Sequence, residues 1–162
     1  MRNDLSLRHW CQADCRMIYE WRMNPAVREK SFNKNEFPYS EHEQWFRRFL
    51  YSPYSFGYIL EKHGVPVAQI RFDKTMNEGY YNISISTAPD FMGKGYGSAI
   101  LEIACAQKEL LQYAKYFVAE VFEDNIPSKK IFEKNGFKTT AKTSVDGHTV
   151  LLFKRDAILT QD

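Results

Sequence analysis

Apolar-rich runs at Leu5 to Trp10, Tyr54 to Glu61, Val65 to Phe72 and Tyr80 to Thr87 predict four short strands. Lys62-His63-Gly64 joins the second and third as a hairpin turn, and Ala88-Pro89-Asp90 stops the fourth. Between the first two strands the period changes to that of a helix. Asp14 to Met23 places Met17, Ile18 and Trp21 on one side and ends at Asn24-Pro25. Ser40-Glu41-His42-Glu43 reads as a capping box, and the helix it opens sets His42, Trp45, Phe46 and Phe49 on one face.

The run from Ile83 to Gly97 is the most informative of the chain. An alternating strand enters a glycine turn, and the turn opens directly into an amphipathic helix. That helix puts Tyr96, Ala99, Ile100, Ile103, Ala106 and Leu110 on one stripe, with Ser98, Glu102, Lys108 and Glu109 opposite. It leads to a strand at Tyr116 to Phe122, which must lie parallel to its predecessor through a right-handed crossover. Asp124-Asn125 caps a short helix that stops at Asn135-Gly136, and strands at Phe137 to Thr143 and His148 to Lys154 flank an Asp146-Gly147 turn. The expected order is βααβββαβαββ, a mixed α/β (α+β) arrangement that is antiparallel, then parallel, then antiparallel.

Composition narrows the function. The 162 residues fit one domain, residues 1–162, without repeat or linker, and 44% hydrophobic with 26% charged residues is the balance of a soluble globule. A net charge of +2 gives no reason to expect nucleic acid. No apolar run approaches the ~20 residues of a membrane span, and Met1-Arg2-Asn3-Asp4 does not open a signal peptide. Three cysteines form no disulfide framework, and Cys11 and Cys15, one turn apart, lack nearby residues to complete a metal site. A cytoplasmic, metal-free protein is the expectation.

Gly93, Gly95 and Gly97 allow backbone N–H groups to close on phosphates at a helix N-terminus, with Lys94 as an added cation. A Walker loop requires Ser or Thr after Gly-Lys, and Gly95 stands there. A dinucleotide fingerprint requires a further glycine near Ser98 and a doubly wound sheet, which one βαβ unit after antiparallel strands cannot build; Glu120 only mimics its ribose-binding acid. The remaining match is better. Pro89-x-x-x-Gly93-Lys94-Gly95-Tyr96-Gly97 after a strand, followed by Asn125-x-x-Ser128 and Glu133-Lys134-Asn135-Gly136-Phe137, resembles the GNAT superfamily of acetyl-CoA-dependent N-acetyltransferases from about residue 5 to 154. Met92 departs from it, standing where an Arg or Gln is usual.

The resemblance implies a GNAT fold whose fourth and fifth strands splay apart to hold pantetheine. Ile85, Ser86 and Thr87 would line it, with a backbone N–H near Ile85 meeting the developing oxyanion. Met92, Gly93, Lys94, Gly95, Tyr96, Gly97 and Ser98 would surround the pyrophosphate, and Asn125, Lys129 and Phe132 would approach acetyl-CoA from the far side. Phe132 occupies the position of a tyrosine acid in many relatives, so Ser128, one turn earlier, is the candidate proton donor to the thiolate. For the base that accepts the amine's proton, the usual carboxylate is missing at Tyr80-Tyr81-Asn82, which leaves His42, Glu120 or a water held by Ser84.

The amino-terminal third resembles one branch in particular. Trp21-Arg22-x-Asn24-Pro25-x-Val27-Arg28, Ser31-Phe32-Asn33 and His42-x-x-Trp45-Phe46 are similar to the acetyltransferases of pseudaminic and nonulosonate biosynthesis, which acylate the 4-amine of a UDP-linked sugar. By that resemblance Trp21, Arg22, Asn24, Arg28, His42 and Trp45 would contact the acceptor, the arginines taking the diphosphate. The same tryptophans serve equally as core anchors. A protein N-terminus, as in the ribosomal-protein alanine acetyltransferases, is the second acceptor, and a CoA-binding module without catalysis the reading from another class. A homodimer fits without a locatable interface.

Overall fold

Every strand expected from the sequence forms, and all seven join one sheet. The computed structural model describes residues 4–32 and 34–158; Asn33 of the acceptor motif and the Met1-Arg2-Asn3 start lie outside them. The strands are β1 (Leu5–His9), β2 (Phe56–Lys62), β3 (Val65–Lys74), β4 (Tyr80–Thr87), β5 (Tyr116–Phe122), β6 (Lys138–Val145) and β7 (His148–Asp156). Their spatial order is β1-β2-β3-β4-β5-β7-β6. His63 and Gly64 adopt φ of 50° and 78°, and Asp146 and Gly147 49° and 80°; left-handed pairs of this kind turn the two tight hairpins with the twist of their strands.

The decisive feature is where pairing stops. β4 and β5 run parallel and are aligned only at Tyr80 with Tyr116, Tyr81 with Phe117 and Asn82 with Val118. Beyond Asn82 the strands part, while β4 keeps its register with β3 out to Thr87 against Ala68. This is the GNAT fold expected from the resemblance, splayed between its fourth and fifth strands.

Helices cover both faces. α1 (Cys15–Met23), α2 (Pro25–Arg28) and α3 (Tyr39–Tyr51) lie on one side, and α4 (Tyr96–Cys105), α5 (Lys108–Leu111) and α6 (Ile126–Lys134) follow later in the chain. Alternation along β2 sends Tyr58 and Leu60 into the larger core with Ile100, Leu101, Phe117 and Phe153, and Ile59 into a second core with Trp10, Ile18, Phe46 and Phe49. Trp10 binds that second core to the sheet: its backbone N–H donates to the Gly57 carbonyl at 2.8 Å and its indole to Tyr58 O at 3.2 Å. A Cβ on Gly57 would fall 2.4 Å from the indole ring, so only glycine permits this approach.

Four local expectations need correction. The capping box at Ser40 does not form: Pro38, held extended, is the N-cap, its carbonyl takes the Glu41 and His42 N–H groups, and Ser40 already lies inside the helix. The helix after the glycines does not reach Leu110. It breaks at Ala106, where the Gln107 side chain donates to the Ile103 carbonyl, and α5 restarts to bury Leu110. The buried face of α4 is also rotated from the expected stripe, comprising Gly97, Ile100, Leu101, Ala104 and Cys105, with Ala106 exposed. Finally, α2 is a short helix that the Asn24-Pro25 stop conceals in the sequence; Asn24 Oδ1 accepts from Ala26 N at 3.0 Å to begin it.

Candidate active site

Two surfaces meet at the splay. Alternate N–H and C=O groups of Ile83 to Thr87 face a gap that β5 does not fill, so this stretch of β4 is an internal sheet edge. At its end the chain turns through Gly93 (φ 77°) and Gly95 (φ 86°) into α4, whose N-cap is Gly95 itself. None of the backbone N–H groups from Gly93 to Ser98 donates to an acceptor among the described residues, and Ala99 is the first to bond back, to Gly95 O at 3.1 Å. A Cβ at Gly93 or Gly95 would meet nothing within 4 Å, so the space beside these glycines is open. Successive free N–H groups at a helix N-terminus form a nest for an anion. Lys94 lies over the Phe91 ring at 5.5 Å, and Lys62, from the β2–β3 hairpin, 5.9 Å from the Tyr96 ring.

α6 borders this region. Asn125 caps it, its Oδ1 accepting from Ser128 N at 3.3 Å, which leaves the Asn125 amide N–H groups to donate elsewhere. The Ser128 hydroxyl has no partner among the described residues. Lys129 is half-buried. Phe132 is 6% exposed and packs on Phe153 and Phe137, so it fills the core between helix and sheet. Gly97 permits the close approach of this layer: a Cβ there would lie 3.0 Å from Ile131 Cδ1 and 3.6 Å from Thr87 Oγ1. These residues present groups complementary to an acyl-CoA: free donors for a diphosphate and an unpaired strand edge for an amide-bearing arm.

The opposite face of the sheet is built from side chains. Register places Gln69, Arg71 and Asp73 of β3 beside Ser86, Ser84 and Asn82 of β4, and Glu120 two residues beyond Val118 on the same face of β5. Gln69 Nε2 donates to Ser86 Oγ at 2.7 Å. Glu120 is exposed and forms no ion pair among the described residues. Phe32 stacks on Phe122 with ring centroids 4.4 Å apart, so the segment after α2 lies across the end of β5.

Arg22 is the unusual group here. Its guanidinium packs 4.9 Å from the Phe37 ring and 5.3 Å from Trp45, and Arg71 stands 5.0 Å from Trp45. Arg71 Nε is spent on Asp73 at 2.8 Å, whereas Arg22 makes no hydrogen bond or ion pair among the described residues. Burial first, then the Arg71 cation, push Arg22 down to about 10 against the pull of Asp73, which still leaves it charged at neutral pH. A half-buried cation with five unused donors calls for an anion.

The other expected acceptor residues divide. Arg28 is committed to Glu36 at 2.8 Å, and Asn24 Oδ1 to the α2 cap. Trp21 is half-buried, and Trp45 is anchored among Trp10, His42, Phe46 and Phe49. His42 is 1% exposed, ringed by Tyr19, Phe37, Tyr39, Trp45 and Phe46, with Nε2 against Cys15 O at 2.9 Å. Burial lowers its proton affinity, opposed by the Cys15 bond and reinforced by Arg22 and Arg71. The ring is thus enclosed in the packing between α1 and α3. Arg71, Asp73 and Gln69 were not singled out from the sequence. Their signal is there, as polar residues at every second position of an otherwise buried strand. The Phe32–Phe122 stack had no such signal, because it depends on how a loop returns to the sheet.

No helix among the described residues is long and apolar enough to cross a membrane, and no group of three or more His, Cys, Asp or Glu side chains among them is placed to hold a metal ion. No curated protein sequence matches the chain. Solved structures share its fold at low identity. YncA, a putative acetyltransferase from Salmonella typhimurium with acetyl-CoA, aligns with TM-score 0.80 at 17% identity, over 99% of this chain and 98% of that one. The spermidine N-acetyltransferase of Vibrio cholerae in complex with CoA and spermine aligns with TM-score 0.83 at 16% identity, over 96% of each chain. An N-acetyltransferase from Staphylococcus aureus Mu50 gives 0.82 at 16%, over 95% and 99%. The family model described as acetyltransferase (GNAT) domain matches residues 4–138. With a splayed β4–β5 pair and a glycine nest where that family binds its coenzyme, the chain belongs to the GNAT family and is an acetyl-CoA-dependent N-acetyltransferase.

Proposed function

We propose that the acceptor is a small primary amine carrying an anionic group, and specifically the 4-amine of a UDP-linked amino sugar. The observation that carries this reading is Arg22, a guanidinium held between Phe37 and Trp45 beside Arg71, with no hydrogen bond or ion pair among the described residues. A diphosphate supplies the paired acceptors such a fork seeks, and the aromatic rings suit the faces of a base or sugar. A polyamine, as bound by the Vibrio cholerae neighbour, would bring further cations beside Arg22 and Arg71, of which Arg71 already holds Asp73.

Acetyl-CoA, when bound, supplies an acetyl group activated as a thioester. The residues of this chain then have separable tasks. The N–H groups of Gly93 to Ser98 hold the diphosphate, and the Ile83–Thr87 edge aligns the pantetheine arm, with the N–H near Ile85 donating to the thioester oxygen. Glu120, on the acceptor face across the gap, takes the proton from the incoming ammonium. Ser128 Oγ carries the transferable proton on the α6 side. His42, enclosed by rings, supports Trp45 and holds α3 against α1.

A thiol-release assay with acetyl-CoA and a panel of amines tests the reading. Turnover of a UDP-linked amino sugar well above that of spermidine or peptide N-termini is the expected result. Turnover confined to peptides, or tight CoA binding with no amine acetylated, would replace it with the two other readings the sequence leaves open. Glu120→Gln should lower kcat/KM for the acceptor with CoA affinity unaltered, and an unchanged kcat/KM excludes Glu120 as the base.

A further inference from the structure

Ser98 sits in the first turn of α4, where its backbone N–H is free, and its hydroxyl is engaged from an unexpected direction. Asn135, at the C-terminus of α6, donates through Nδ2 to Ser98 Oγ at 3.2 Å and to the Ile131 carbonyl at 2.8 Å. A carbonyl oxygen only accepts, so the Ile131 bond fixes which end of the Asn135 amide faces inward. Ser98 Oγ is therefore an acceptor toward Asn135, and its own proton has to be donated elsewhere.

Asn135 is itself held. Arg155 Nη1 donates to the Asn135 carbonyl at 3.2 Å, and the same guanidinium bonds Asp156 O at 3.0 Å and Ala157 O at 3.3 Å. Its plane lies 5.4 Å from the Phe117 ring and 5.3 Å from Phe137. Gly136, at φ 86°, ends α6 immediately after. The chain Arg155–Asn135–Ser98 thus runs from β7 through the end of α6 to the start of α4, one residue after the last glycine of the turn.

We propose that Asn135 is a positioning residue for the coenzyme diphosphate: it holds Ser98 with its O–H turned into the nest, converting a hydroxyl of either polarity into a fixed donor. The inference rests on the nest being the diphosphate site. Ser98 then adds two donors, N–H and O–H, to those of Gly93 to Gly97, and a diphosphate, which only accepts, is matched on that side without reorganising the hydroxyl. An Asp at 135 reverses the relay. Its carboxylate oxygens accept the Ser98 proton and bring a negative charge to the rear of an anion site.

Two readouts separate this role from a structural one: CoA affinity by titration calorimetry, and the ratio of kcat/KM for acetyl-CoA to that for acetyl-pantetheine, which lacks the diphosphate. Asn135→Asp should weaken CoA binding about tenfold or more and reduce the acetyl-CoA preference by a similar factor, since hydrogen bonds to charged groups carry that weight. Asn135→Leu, which releases Ser98 without adding charge, should show a smaller loss in the same direction. Ser98→Ala should cost much less in the Asn135→Asp background than in the native one. An unchanged acetyl-CoA preference in both Asn135 variants overturns the proposal. If the native enzyme itself shows no preference for acetyl-CoA over acetyl-pantetheine, the nest reading fails first and takes this one with it.

Discussion

The two sides of the splayed sheet are made of different material. On the α4–α6 side the proposed coenzyme nest is backbone: six N–H groups without an acceptor among the described residues, two left-handed glycines and an unpaired strand edge. On the α1–α3 side the proposed acceptor face is side chain: Arg22 between rings, Arg71 on Asp73, Gln69 on Ser86, Glu120 open to solvent. Backbone chemistry is the same for every sequence that adopts the turn, so on this reading that side keeps its ligand while the side chains around it change. The acceptor face can change its ligand by exchanging a few residues without touching the fold. Generic chemistry and specificity are thus separated by the thickness of one sheet.

If the separation is real, damage on one side should not appear in the other substrate's constants. The largest effect is expected at Gly95. A β-branched residue at φ 86° is strained, and its side chain would project into the nest mouth, where a Cβ has no protein neighbour within 4 Å. Gly95→Val should weaken CoA binding about 100-fold or more, through lost or misdirected N–H donors. Gly64→Val makes the control, since Gly64 has a similar φ of 78° and the same empty surroundings, but sits in the β2–β3 hairpin. It should lower thermal stability and leave CoA affinity within about twofold. Equal losses of affinity in the two variants would mean that the nest contributes shape to the fold and nothing to the coenzyme.

Arg22→Ala probes the other side. Removing the unpartnered guanidinium should raise the acceptor KM about 30-fold for an anionic acceptor, the weight of charge-assisted bonds in a partly buried site, with CoA affinity unaltered. Initial-rate kinetics against both substrates decide it. A shift in the acetyl-CoA KM alone would put Arg22 on the wrong side of the sheet. Ser128→Ala should come next in size and lie between the two sides, lowering kcat about tenfold with both KM values little changed, because a thiolate leaves tolerably without an acid. An unaltered kcat removes Ser128 from the proton path.

The same division explains what could be read from the chain before its structure. The nest was legible because its requirement is written locally: glycines at alternate positions, a strand before, a helix after. Asn125 was legible as a cap for the same reason, since its side chain bonds a backbone group three residues on. The strands and both tight hairpins followed from periodicity and turn chemistry. The acceptor face resisted, because its residues come from stretches far apart in the chain, among them Trp21 to Arg28, Trp45, Gln69 to Asp73 and Val118 to Phe122, and only packing decides which of them meet. Arg22 and Arg28 look alike in sequence, yet one is left unpaired and the other is tied to Glu36. Pro38 displaced the cap expected at Ser40, and Gln107 cut a helix that its apolar spacing would have continued.

His42 gives the smallest effect and the sharpest test of how the acceptor side is supported. Nε2 donates to the Cys15 carbonyl, so in the neutral ring Nδ1 carries only a lone pair, and that atom is buried without a partner. A second proton would have to sit on Nδ1 among aromatic rings, with Arg22 from α1 and Arg71 from β3 repelling it, so the folded ring titrates below its ordinary value. The unfolded ring titrates near ~6.5. Between the two values the unfolded chain binds more protons than the native one, and stability therefore falls as the pH drops from about 6.5 toward the depressed folded value. His42→Gln keeps an amide donor for Cys15 and has no proton to gain. Urea unfolding at pH 7 and pH 5 should show the native protein losing more stability than this variant over that interval. Equal losses would mean that the ring protonates freely in the folded state. The aromatic box around it would then be open enough for His42 to exchange protons with an acceptor, and the catalytic base would have to be sought there rather than at Glu120.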